Sequence, residues 1–147
     1  VYKRQAFIPM LMDTGGNSGS QACVSIIRGI SLNEIEFRDL GRVVWKEIRV
    51  SVLCGVCLAV ACFAKIIVVD MLLLKSESVT YLVAFVVCAT MAVTVCLAKI
   101  VGSTLPLLAK KLGFDPAVMA SPIITTIVDF LSLLVYFAFA TAILGIG

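Results

Sequence analysis

Long apolar runs separated by short charged segments make up most of the chain. Four runs are long enough for a transmembrane helix, which needs about 20 mostly apolar residues. They cover approximately residues 6–27, 50–74, 79–101 and 116–146, and a mixed-charge link, 28–49, joins the first two. This pattern predicts an all-α integral membrane protein with four transmembrane helices in these 147 residues.

Composition agrees with a membrane protein and excludes several classes of function. Hydrophobic residues make up 61% of the chain and charged residues only 14%, whereas soluble domains are about half apolar. The chain has no histidine, which excludes imidazole catalysis and histidine metal sites. Lysine and arginine form no stripe with interleaved aromatics, so we expect no nucleic-acid partner. We expect a protein of the lipid bilayer that is not an enzyme.

The basic residues predict how the chain crosses a cell membrane, because positive charges collect in cytoplasmic loops. Several lie between the first and second spans and between the third and fourth, whereas Lys75 alone lies between the second and third. The first two of these loops are therefore predicted to be cytoplasmic, and the C-terminus extracellular. The basic residues of the two loops are Arg28, Arg38, Arg42, Lys46, Arg49, Lys99, Lys110 and Lys111.

Two capping patterns predict where helices begin on the cytoplasmic side. Ser31 and Glu34 have the spacing of a capping box, which favours a short helix starting in the link. Asp115 can cap a helix whose first residue is Pro116, a position that proline tolerates well.

A carboxylate, Asp129, lies within the fourth span, and no basic residue follows Lys111 in the chain. A charge at the bilayer centre costs ~2.5–3.5 kcal/mol on insertion scales, so such residues usually serve a function. Ser121, Thr125 and Asp129 repeat at i, i+4 and i+8 and therefore share a helix face. Thr126 lies beside this row. Two alternatives stay open: a protonated buried acid, and a hydrogen bond between helices.

The first span carries a second polar stripe with its own carboxylate. The stripe consists of Asp13, Asn17 and Gln21, with Ser20 beside it. Gly15 and Gly19 form a GxxxG pair, with Gly16 next to them, and small residues of this kind let helices approach closely. We interpret this segment as helix packing combined with the lining of a cavity.

Two polar stripes on two apolar helices predict one water-filled path between them. The groups offered are carboxylate, hydroxyl, amide and carbonyl oxygens, which are ligands of hard cations. Neither stripe has a lysine or arginine in its middle, as an anion path would require.

Six cysteines lie in the apolar runs. Cys54 and Cys57 form a CxxC pair, which is typical of a redox pair or a soft-metal site. The alternative is that cysteine serves here as a small apolar residue. No histidine and no second CxxC completes a tetrahedral set, which favours the apolar role.

Two segments resemble motifs of the MgtE family of magnesium channels. The segment FIPMLMDTGGNSGSQACVSIIRGISLNEI is similar to the family's PxLMxxGGNxGxQ pore helix, which precedes a basic cytoplasmic link. The segment LPLLAKKLGFDPAVMASPIITTIVDFLSLLVYF is similar to the family's last helix, with its DPA…SxPxxTTxxD pattern. Order and spacing agree, and the resemblance covers about residues 6–144.

The resemblance implies a homodimer with five transmembrane helices per subunit and a pore on the dimer axis. It implies that hydrated Mg²⁺ moves through this pore into the cytoplasm. The family's pore aspartate falls on Asp129, one from each subunit, and earlier pore-facing positions fall on Thr125 and Ser121 as further metal-binding residues. The expected pore-lining residues are Asn17, Gly16, Asp13, Gln21, Ser20 and Thr126.

Residues 1–147 then correspond to the family's transmembrane pore domain. We expect the family's N-terminal cytoplasmic domain, its paired CBS domain and its first transmembrane helix to be absent from this sequence. Either a fragment of a longer protein or a natural short form fits this expectation.

Two functions of other classes stay open from the residues alone. A proton-coupled membrane carrier would use Asp129 as its coupling acid. A non-transporting redox or scaffold protein of the membrane would use Cys54 and Cys57.

Overall fold

The described part of the chain folds into four long α-helices. The computed structural model describes residues 7–73, 81–119 and 122–145. No β-strand occurs in these ranges, which confirms the all-α prediction. A 3₁₀ turn, Phe37–Asp39, precedes the second helix, a π-helical segment, Ile66–Leu73, continues it, and a 3₁₀ turn, Pro116–Met119, precedes the fourth. The four helices are α1 (Ile8–Ser31), α2 (Leu40–Lys65), α3 (Tyr81–Lys111) and α4 (Pro122–Leu144).

In the part of the chain that the structure describes, three helical segments have the length and apolar composition of a membrane span. They are Phe37–Val69, Tyr81–Lys111 and Pro122–Ile143. Helix α1 has 24 residues, about 36 Å, so its length also suffices. The polar residues in its middle set its composition apart from the other three. The architecture is that of a multi-pass membrane protein.

Helix α3 lies at the centre and packs against α1, α2 and α4. Glycines allow the closest of these contacts. A Cβ on Gly102 of α3 would collide with the backbone of Gly19 on α1. A Cβ on Gly15 would lie 2.8 Å from Cγ2 of Thr94, and one on Gly19 would lie 3.1 Å from the carbonyl oxygen of Ala98. The GxxxG pair of α1 is therefore a packing motif, as predicted. It meets α4 as well as α3, since Val128 lies 3.0 and 3.1 Å from the two Cβ positions.

Apolar side chains fill the bundle in three clusters from one end to the other. Phe7, Leu11 and Tyr136 belong to the first cluster, where α1 begins and α4 ends. Ile30 and Leu107 belong to the third, where α1 and α3 end. The middle cluster consists of Cys23, Ala98, Ile124 and Val128. Because Val128 precedes Asp129, this carboxylate lies near the middle cluster.

The helix predicted to start at Ser31, in the link between the first two spans, starts later than predicted. Helix α1 continues through Ser31, whose hydroxyl donates to the carbonyl oxygen of Ile27 at 2.9 Å. The predicted helix start at Ser31 is therefore wrong, since serine can also bond back to its own helix. Glu36 and Asp39 form the capping box instead, with the Glu36 N–H donating to Oδ2 of Asp39 at 3.1 Å.

Helices α2 and α3 are longer than the predicted spans. Helix α2 starts at Leu40 and takes in the last part of the link, whereas α3 ends at Lys111 instead of residue 101. Lys99, predicted in a cytoplasmic loop, is therefore buried inside α3. That prediction is wrong because a buried lysine with a partner does not mark the end of a span.

Helix α4 begins at Pro122, six residues after the predicted start at 116. Asp115 caps a helical turn as predicted, since its Oδ1 accepts the N–H of Ala117 at 2.9 Å. That turn is the short 3₁₀ segment, separate from α4. Proline is favoured at the first helical position, and it stands there in both elements. Asp129 consequently lies seven residues, about 10 Å, along α4.

Candidate cation site

Gly16 brings the backbone of α1 next to two polar residues of α4. A Cβ built on Gly16 would lie 3.3 Å from Cγ2 of Thr125 and 3.7 Å from Oδ1 of Asp129. Because glycine has no side chain, nothing on residue 16 separates the α1 backbone from the carboxylate. A carboxylate, a threonine and a helix backbone therefore meet where α1 packs against α4.

The first turn of α4 fixes two hydroxyl groups before Asp129. The hydroxyls of Thr125 and Thr126 donate to the carbonyl oxygen of Pro122, at 3.0 and 2.8 Å. A hydroxyl that donates in this way still has oxygen lone pairs that accept hydrogen bonds or bind a cation. Oxygen atoms of this kind suit Mg²⁺ and the water molecules that it keeps.

The site has a negative electrostatic character. Asp129 is half-buried, and the carboxylate of Asp13 on α1 is close enough for the two like charges to repel. Neither carboxylate forms an ion pair with any residue that the structure describes. The chain has no lysine or arginine after Lys111. A bound cation would offset this repulsion.

A cavity of about 400 Å³ lies on another side of α1. Helix α2 contributes two thiols to its wall and α3 contributes Lys99. The polar stripe of α1 faces this cavity, so the two predicted stripes are not packed directly on each other. The lining residues are Asp13, Thr14, Asn17, Ser18, Gln21, Cys54, Cys57, Leu58 and Lys99.

Ser20 lies one turn after Gly16 on α1. Its Oγ is buried and has no hydrogen-bond partner among the residues described here. An unsatisfied buried hydroxyl costs about 1–3 kcal/mol, so this position suits a water molecule or a hydrated ion. Ser121, the third predicted metal-binding residue, lies outside the described residues and stays a prediction.

Beside the cavity is an ion pair that the sequence analysis missed. Nζ of Lys99 is 3.7 Å from Oε2 of Glu47 on α2, and the two side chains are only 11% and 10% exposed. The available signal was the isolated lysine in the run LAKIVGSTLPLLA. A lone charge within such a run indicates a partner on another helix.

The cysteines of the predicted CxxC pair have free thiols. Both face the cavity, and Cys57 is the more exposed. Within the described ranges, no three His, Cys, Asp or Glu side chains are placed to hold a metal ion together. Neither the cavity thiols nor Asp129 therefore belongs to such a cluster within the described part of the chain.

Comparison with known proteins identifies the family. The model of the MgtE family, described as divalent cation transporters, matches residues 8–139. The magnesium transporter MgtE of Bacillus subtilis (strain 168) is 34% identical over 136 residues, which cover 92% of this chain and 28% of that protein. The protein of the same name from Thermus thermophilus is 33% identical over 138 residues, which cover 94% and 29%. The chain thus spans less than a third of the length of these relatives. It belongs to the MgtE family of divalent cation transporters, as its two motifs predicted, and not to a family of enzymes.

Proposed function

We propose that this chain is the pore-forming part of a magnesium transporter, which carries hydrated Mg²⁺ into the cytoplasm. The named relatives are magnesium transporters. The observation that carries the proposal is the convergence of Asp129, Thr125 and the Gly16 backbone between α1 and α4. This site offers oxygen groups and negative charge inside an apolar helix bundle.

Two copies of the chain are proposed to share the ion across a dimer axis. One Asp129 supplies one negative charge, and two supply the charge that neutralises Mg²⁺. Because Mg²⁺ gives up water reluctantly, the carboxylates hold it through its bound water. Thr125, Thr126 and the predicted Ser121 accept the remaining hydrogen bonds from that water. The insertion cost of each carboxylate is then offset by the ion.

The membrane potential is proposed to supply the driving force. An inside-negative potential contributes ~2.3 kcal/mol per charge per 100 mV, or ~4.6 kcal/mol for a divalent ion. The basic residues at the ends of α1 and α3 and along the start of α2 support a cytoplasmic location for those ends. The start of α1 and the C-terminus then face the outside.

Replacement of Asp129 tests the proposal. Protein reconstituted into liposomes that contain a Mg²⁺-sensitive dye would be compared with its Asp129→Asn and Asp129→Ala variants. Hydrogen bonds to a charged group contribute about 1.5–3 kcal/mol each, so two lost carboxylates lower ion affinity by about 100-fold or more. Glu34→Gln, which removes an exposed carboxylate of the link, is the matched control and should transport normally.

Two results would contradict the proposal. One is normal Mg²⁺ uptake by Asp129→Ala in folded, dimeric protein. The other is uptake that requires a pH gradient and ignores the electrical potential, which would favour a proton-coupled carrier with Asp129 as its coupling acid.

A further inference from the structure

A face of α2 carries three exposed cations. Arg42, Lys46 and Arg49 follow one another at i, i+4 and i+7, so they lie on one side of the helix. All three are exposed, and none forms an ion pair within the ranges that the structure covers. Trp45, 64% exposed, lies beside them. This cationic face is available to a ligand outside the subunit.

Nearby acidic side chains do not neutralise these cations. Glu47, on the opposite side of α2, is buried against Lys99 of α3. Glu36 pairs with Arg38 at 2.9 Å. Asp39, whose carboxylate accepts the Glu36 N–H, keeps one negative charge against the three cations. The cationic face therefore keeps its net positive charge.

The same side of α2 continues as an apolar stripe. Leu53, Val56 and Val60 follow Arg49 at steps of four, three and four residues, and they are 68%, 54% and 64% exposed. From Leu53 to Val60 the helix rises about 10 Å, which is two-thirds of the ~15 Å hydrocarbon depth of one leaflet. The three cations at the membrane surface are thus followed directly by an apolar strip that covers about two-thirds of the hydrocarbon depth of one leaflet.

We propose that this face of α2 is a binding site for an anionic phospholipid. The headgroup phosphate contacts Arg42, Lys46 and Arg49, and an acyl chain lies along Leu53, Val56 and Val60. Trp45 occupies the interfacial level, where tryptophan is enriched in membrane proteins. A lipid fits better than a soluble phosphate or an acidic protein, because only a lipid matches both the cationic and the apolar part.

The chain contains one tryptophan, Trp45, which makes a local assay available. The protein would be reconstituted into phosphatidylcholine bilayers that contain increasing fractions of brominated phosphatidylglycerol or brominated phosphatidylcholine. Bromine quenches tryptophan fluorescence at short range, so quenching reports which lipid lies next to Trp45. We expect brominated phosphatidylglycerol to quench at a much lower mole fraction.

Matched double variants separate a site from general charge attraction. Each cation near an anionic surface contributes about fivefold in binding, so Lys46→Gln/Arg49→Gln should lower the preference for phosphatidylglycerol by about 25-fold. Arg28→Gln/Lys110→Gln removes two exposed cations elsewhere and should leave the preference within about twofold. Quenching by brominated phosphatidylcholine should be the same in all variants, which checks that each is folded and inserted.

Three results would overturn the proposal. Equal quenching by the two lipids would show that the face has no anionic preference and serves another partner. An equal loss in both double variants would show general attraction to a charged surface. Displacement of brominated phosphatidylglycerol by inorganic phosphate would show a site for a soluble anion.

Discussion

Replacing Lys99 by methionine should strongly destabilise the protein, because it removes the partner of a buried carboxylate. Glu47 is 7% exposed and Lys99 is 9% exposed, and their charged atoms are 3.7 Å apart. At this distance the attraction is about 4.5 kcal/mol for an effective dielectric constant of 20. Both groups lost hydration on burial, so the intact pair contributes much less than this to net stability.

The stability lost when one partner is removed is a different quantity, because the remaining charge stays buried. Breaking a buried pair in this way costs about 3–5 kcal/mol. We expect the lower part of this range for Lys99→Met, because the lysine borders the cavity beside α1 and water can take its place. For a chain of this size each 1 kcal/mol changes the melting temperature by about 2–4 °C, so a loss on the order of 10 °C is expected.

A double-mutant cycle tests the physical argument. The free energy of unfolding, or the melting temperature in detergent, would be measured for Glu47→Met, Lys99→Met and the double variant. Two methionines fill similar volume without charge, so the double variant should recover most of the stability lost by either single one. Additive losses would refute the reasoning, since they would show that the two side chains do not interact.

An exposed ion pair provides the control for the same measurement. Arg38 and Glu36 are 2.9 Å apart, closer than the buried pair, but their side chains are 82% and 57% exposed. Surface pairs contribute about 0–1 kcal/mol, so Arg38→Met should change the melting temperature little. A large loss here would indicate that distance, and not burial, decides the effect.

Three glycine replacements separate packing from transport. Gly102→Ala should lower the melting temperature, because its Cβ would collide with the α1 backbone and overpacking costs about 1–3 kcal/mol. Gly41→Ala is the control in the same thermal-stability assay. A Cβ there meets nothing within 4 Å, so this variant should be neutral or slightly stabilising. Gly16→Ala should retain most stability, since its Cβ would lie 3.3 Å from the Thr125 methyl group, but should slow Mg²⁺ uptake into liposomes by covering the α1 backbone beside Asp129. Normal uptake with normal stability would remove Gly16 from the proposed ion path.

The sequence predicts the helices well and their ends less well, for a physical reason. Apolar runs identify segments that must avoid water, and α2, α3 and α4 follow those runs. The predicted third span ends at residue 101, ten residues before the end of α3, and the prediction assigns Lys99 to a cytoplasmic loop. Whether a lysine is solvated or paired depends on Glu47, which lies 52 residues earlier in the chain. Hydropathy alone carries no information about such a partner.

The polar stripe of α1 shows a second limit of sequence reasoning. Helical periodicity places Asp13, Asn17 and Gln21 on one face, but it does not identify the helix that this face meets. The glycines decide that question, because they permit the shortest contacts. Gly15 and Gly19 pack α1 against both α3 and α4, and Gly16 meets Thr125 and Asp129 of α4. The remaining polar face is left to the cavity between α1 and α2.

The arrangement of charge inside the bundle bears on the proposed function. Among the described residues, Lys99 is the buried cation, and it pairs with Glu47. It is therefore not the partner of Asp129, which interacts electrostatically with Asp13 of α1. Two carboxylates of like sign in an apolar bundle lower their free energy by binding a cation. Asp13 also lines the cavity that Lys99 borders, whereas Asp129 does not. We therefore propose that a divalent ion binds at Asp129 and not beside the buried lysine.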